Sequence, residues 1–115
     1  MNLDDAIAVH QKWKIRLGMV IEGHSADALD PAVVEKDDHC ELGKWLHGAG
    51  RVHREKPEFG PVVFEHAAFH QHAAGVLRKA QKGDMPGAKL DFNGPYYQQS
   101  QKVVLAIMKL KKALQ

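Results

Sequence analysis

The chain has 115 residues, of which 44% are apolar and 26% charged, with a net charge of +2. That length supports one domain with a modest core, and a charge so close to neutral argues against an electrostatic nucleic-acid binder. No stretch of about 18 apolar residues offers a membrane span, and the acidic start "MNLDDAIAVHQK" lacks the basic and apolar regions of a signal peptide.

Helical periodicity dominates from the first residues. Leu3, Ala6, His10, Trp13, Leu17 and Val20 recur at spacings of three and four, with Ile7 and Ile21 widening the stripe. Asn2 or Asp4 is placed to cap this helix and Gly23 to stop it. "HSADAL" reads as a loop. Asp30-Pro31 then has the form of an N-cap followed by proline at the first helical position, which predicts a short helix through Glu35. "CELGKWLHGAG" predicts about two turns anchored by Leu42, Trp45 and Leu46 and closed by Gly48 and Gly50, and "RVHREKPE" reads as a polar connection. A second long helix runs from Pro57 or Pro61 to Lys82, with Phe59, Val62, Val63, Ala73, Leu77 and Ala80 on its apolar side. "DMPGAKLDFNGP" contains two Pro-Gly type breakers and reads as a turn with about one helical turn inside. The last helix starts near Pro95 and carries Val103, Val104, Ile107, Met108, Leu110 and Leu114. Its lysine stripe reads as a solvated face, with a membrane or calmodulin-like surface as the lesser alternative. No segment alternates with period two. The fold class expected is all-α: a four-helix bundle with an additional short helix carrying the cysteine.

Eight histidines in 115 residues is the compositional anomaly. In "FEHAAFHQH" the apolar seam of the long second helix passes through His66 and His70, an i, i+4 pair separated by roughly 6 Å along the axis. His72 falls on the other side and is expected to face out. In the first helix the seam passes through His10. Three imidazoles are therefore directed at the core from two helices, where an unsatisfied polar group costs a few kcal/mol. Each could be satisfied by a nearby carbonyl or carboxylate, and Cys40 could be a small inert core residue. Taken together, however, three imidazoles and one thiolate make a complete tetrahedral set for zinc. Asp37, Asp38 and Glu65 are candidates to orient the ligand histidines from behind. His24, His39, His47 and His53 lie in loops or beside glycines and read as solvated, although His39, next to Cys40, could compete as a ligand.

These segments resemble the chemoreceptor zinc-binding (CZB) domain family. "HQKWKIRL" is similar to the family's first-helix pattern, "CELGKWLHGAG" to its cysteine motif, "FEHAAFHQHA" to its HxxxH helix and "GPYYQQSQKVVLAIMKLKKAL" to its last helix. The resemblance implies one such domain over residues 1–115, α-helical and usually homodimeric, with Zn2+ held by His10, Cys40, His66 and His70. It further implies regulation of a chemoreceptor or diguanylate cyclase signalling module, in cis or in trans. Cys40 would be a zinc-linked switch responsive to zinc availability or to oxidants such as hypochlorous acid. Four protein ligands leave no water position, so no intrinsic catalysis is expected. With a single cysteine and no membrane insertion, the expected location is the cytoplasm. Two other readings are a hemerythrin-like di-iron oxygen-binding bundle, which needs core-facing carboxylates that the seams do not offer, and a metal-free helical interaction module.

Overall fold

The computed structural model describes residues 1–23 and 29–115, so "HSADAL" lies outside the described residues apart from Leu29, as does His24. The described residues form α1 (Leu3–Ile21), α2 (Pro31–Val34), α3 (Glu41–His47), a 3-10 helix (Ala49–His53), α4 (Phe59–Gln81), α5 (Met85–Asn93) and α6 (Pro95–Leu114), and no strand is found among them. The expected helical bundle is observed. Helices α1, α4, α5 and α6 pack against one another, and α2 and α3 are carried in the connection between α1 and α4 and lean on α4.

The helix boundaries follow from local chemistry. The Asn2 side chain accepts from the Asp4 and Asp5 amides, and Asp30 accepts from Ala32 ahead of Pro31. Each such cap satisfies an orphan amide and stabilises its helix by about 1 kcal/mol. Gly23, at φ 75°, takes the chain out of α1 through a conformation that other residues avoid.

Helix α4 is the axis of the molecule. It packs against α1, α2, α3, α5 and α6, so its buried surface is wider than one amphipathic stripe. Phe69, Ala74 and Val76 are buried there in addition to Phe59, Val62, Ala73, Leu77 and Ala80. A stripe read at i, i+3, i+4 finds only the positions facing one neighbour.

Two segments differ from the sequence reading. Residues 85–93 form a nine-residue helix that supplies the fourth member of the bundle, where a turn was expected. The Pro86-Gly87 pair lies in its first turn, where proline loses no hydrogen bond. Asp84 accepts from the Gly87 amide, and Gly94 closes the helix ahead of Pro95. The breakers are therefore its caps. In α6, Met108 is 51% exposed and is not part of the core, whereas Tyr96, Gln99 and Ala106 are buried. Helix α6 meets α1, α4 and α5 along a face centred on Val103, Ile107 and Leu110.

This placement sets an expectation for stability. Met108→Lys should change the unfolding free energy by no more than about 0.5 kcal/mol, whereas Ile107→Ala should cost about 2–5 kcal/mol. Urea titration followed by far-UV circular dichroism measures both.

Candidate metal centre

The three seam histidines and the cysteine meet inside the bundle. The ligand-capable atoms of His10, Cys40, His66 and His70 all lie within 4.8 Å of one another, and this is the only such group among the described residues. His66 and His70 come from adjacent turns of α4, with their Nε2 atoms 3.0 Å apart. Cys40 Sγ lies 3.1 Å from His66 Nε2 and 3.6 Å from His70 Nε2. His10 of α1 closes the set, with its ring centroid 5.0 Å from that of His66 and 5.8 Å from that of His70. The three rings meet edge to face, and each offers a nitrogen to the cluster.

Metal–ligand bond lengths for zinc give tetrahedron edges of roughly 3.3 Å between nitrogens and 3.6 Å between nitrogen and sulfur. The separations among Cys40, His66 and His70 lie within about 0.5 Å of these values, and the widest in the set of four, 4.8 Å, is longer. The chemistry of the donor set also fits. His10 Nε2 is buried with no hydrogen-bond partner, and buried polar atoms are rarely left so. Four electron-pair donors facing one another lack a shared acceptor, and a cation at their centre would supply one.

The outer nitrogens orient two of the rings. His10 Nδ1 lies 2.7 Å from the Ala6 carbonyl and His70 Nδ1 lies 2.8 Å from the Val34 carbonyl, so each carries its proton there and turns an unprotonated Nε2 inward. This differs from the expectation of carboxylate partners. The Asp37 carboxylate pairs with His47, Asp38 with His39, and Glu65 accepts from Gln99. A backbone carbonyl from the preceding turn of α1, or from the end of α2, meets the ring nitrogen, while these carboxylates are engaged elsewhere. Sequence patterns carry no signal for such carbonyls, because any residue type can provide them. Asp37 acts on the site in another way: its charge favours protonation of His70, and its carbonyl lies 4.0 Å from the sulfur.

Burial dominates the electrostatics. Desolvation holds His10 down to about 4, with a smaller raising effect from the Ala6 carbonyl. It holds His66 down to about 2, aided by the neighbouring His70 and His10. His70 is lowered by burial, against the raising effects of Val34 and Asp37. All three imidazoles are therefore neutral near pH 7, the form that ligates a metal. Burial pushes the Cys40 thiol up, while the Gly43 and Leu42 amides oppose this. Cys40 is the N-cap of α3, and the Gly43 amide donates to its sulfur at 3.4 Å. Helix-terminal amides of this kind favour a thiolate.

Gly43 is required by this packing. A Cβ there would lie 1.5 Å from the Asp37 carbonyl oxygen. The glycine lets the strand of chain before Cys40 lie flush on α3, which aims the sulfur at α4.

A family model for the chemoreceptor zinc-binding domain (CZB) matches residues 10–77, more than half of the 115 residues, and spans all four clustered side chains. The chain belongs to the CZB family. No curated protein and no solved structure matches it. Among the described residues the CZB cluster excludes the other histidines: His39 and His47 pair with Asp38 and Asp37, His53 lies beside the Trp45 ring, and His72 is half-buried outside the group.

Two outcomes follow from this geometry. In the metal-free protein the folded state resists protonation of His10 until about pH 4, whereas the unfolded chain takes up the proton near pH 6.5. The unfolded state then binds more protons, so the stability is intact above pH 6.5 and declines as the pH falls toward 4. The loss from His10 alone is about 3 kcal/mol, and His66 and His70 steepen it. Denaturant midpoints measured between pH 8 and pH 4.5 with chelator present report it. Gly43→Ala should leave helix content unchanged and weaken metal binding at least tenfold, measured by competition with a chromogenic chelator.

Proposed function

We propose that this chain is a regulatory zinc-binding module in which His10, Cys40, His66 and His70 hold Zn2+ and Cys40 is the point at which the signal acts. The observation that carries this reading is the convergence of three imidazole nitrogens and one sulfur within 4.8 Å of one another in a largely buried core. Zinc suits this mixture of nitrogen and thiolate donors. All four positions are filled by protein, so no site is left for an activated water, which favours a regulatory role over a hydrolytic one.

The ligands are not mechanically equivalent. His66 and His70 sit in the middle of the most enclosed helix, and His10 is anchored by the Ala6 carbonyl. Cys40 lies at the start of a seven-residue helix reached by a short connection. A zinc-bound cysteine is a thiolate, which oxidants such as hypochlorous acid attack. Loss of the sulfur ligand, by oxidation or by metal depletion, would free α3 with its Leu42, Trp45 and Leu46 anchors to move against α4. A chemoreceptor or cyclase module could read that displacement. A cytoplasmic setting, where an unpaired thiol stays reduced, and a homodimeric state agree with this function.

Metal analysis tests the reading. The parent protein should carry one zinc per chain and Cys40→Ala should bind it at least a hundredfold more weakly. Chelation should lower the melting temperature of the parent by several degrees, since a ligand of the native state adds stability in proportion to its occupancy. Equal zinc content and affinity in the two proteins would refute the assignment of Cys40.

A further inference from the structure

Three of the four clustered residues are sealed: His10, His66 and His70 are at most 3% exposed, whereas Cys40 is half-buried. Among the described residues, surface cavities touch the cluster at two places. The groove of about 470 Å³ between α1 and α6 meets it through His10 only. A crevice of about 260 Å³ between the first turns of α1 and α3 meets it through both His10 and Cys40. Its buried walls are Ala6 and Leu42, its outer wall includes the half-exposed Val9, and its only charged side chains are the exposed Asp5 and Glu41. No lysine or arginine lines it; the α-ammonium of Met1 lies at its mouth, and Lys44 pairs with Glu41 at 3.9 Å from outside.

We infer that this crevice is the portal to Cys40 and that Asp5 and Glu41 make it selective, admitting cations and small neutral reagents while repelling anions. The walls desolvate whatever enters, and two carboxylates at the rim raise the energy of an approaching negative charge. A divalent metal ion gains from the same field. Neutral oxidants would reach the sulfur in preference to anionic ones of similar size, so the crevice sets which chemical signals arrive. For metal exchange this inference rests on the zinc reading above. For access to the thiol it does not.

Paired disulfide reagents test the portal on metal-free protein. The Cys40 thiolate attacks one reagent sulfur and forms a mixed disulfide; the reagent S–S bond breaks, and the departing thiolate carries away the electron pair. Dithiodipyridine is neutral and dithiobis(nitrobenzoate) is a dianion. Both report on the same thiolate, so the ratio of their rate constants cancels its population. At an ionic strength of roughly 0.01 M, Asp5→Asn combined with Glu41→Gln should raise the dianion rate relative to the neutral one by about tenfold, an effect that disappears in 1 M salt. Val9→Trp should slow both reagents at least tenfold, while Leu105→Trp, in the other groove, should leave both within twofold of the parent. In zinc-loaded protein Val9→Trp should also slow metal release to a chelator without changing zinc content. An unchanged reagent ratio in the double variant, or slowing by Leu105→Trp in place of Val9→Trp, would overturn the inference. Absence of bound zinc would count against the metal reading alone, because the thiol rates are measured without metal.

Discussion

The fold is arranged around the problem of keeping three imidazoles in an apolar core. His10, His66 and His70 are as buried as the leucines beside them. Their desolvation removes the charged form near neutral pH and leaves electron-pair donors with few protons to share. Carbonyls at Ala6 and Val34 satisfy two outer nitrogens, but the inner nitrogens face one another and a sulfur. Such an arrangement is stable as a metal site and costly as anything else, because buried polar atoms without partners lose their hydration with no return.

The surrounding elements follow from that requirement. Helix α4 must be enclosed on nearly all sides to bury two adjacent turns of histidine, and its contacts with α1, α2, α3, α5 and α6 do this. The connection from α1 to α4 must bring one sulfur back to the middle of the bundle. It does so with two short helices, the second starting at Cys40 and held close by the glycine at position 43. The Glu35–Arg78 ion pair and the Asp37–His47 hydrogen bond on this connection lie at its surface and contribute little in themselves. The connection is therefore positioned by the sulfur, the Val34 carbonyl and its buried leucines, and those are the contacts a change at Cys40 would disturb.

Much of this was legible in the chain. The spacing of His66 and His70 and the position of His10 on its apolar seam place three imidazoles in the core, because helical periodicity converts directly into a face. Caps at Asn2 and Asp30 were legible for the same local reason. The misreadings share one cause. Pro86-Gly87 counts as a breaker until its place in the first turn of a helix is known, and Met108 counts as core until the neighbours of α6 are known. The carbonyls behind His10 and His70 leave no trace in residue identity.

What the sequence determined by itself is therefore the class of fold, the long helices and the four candidate donors, since these depend on periodicity and side-chain chemistry along a single segment. What only the tertiary structure decided is their meeting within 4.8 Å, the backbone groups that orient them and the crevice that meets His10 and Cys40. Those properties depend on distances between segments remote along the chain. Such distances are set by how helices pack, which no local pattern encodes.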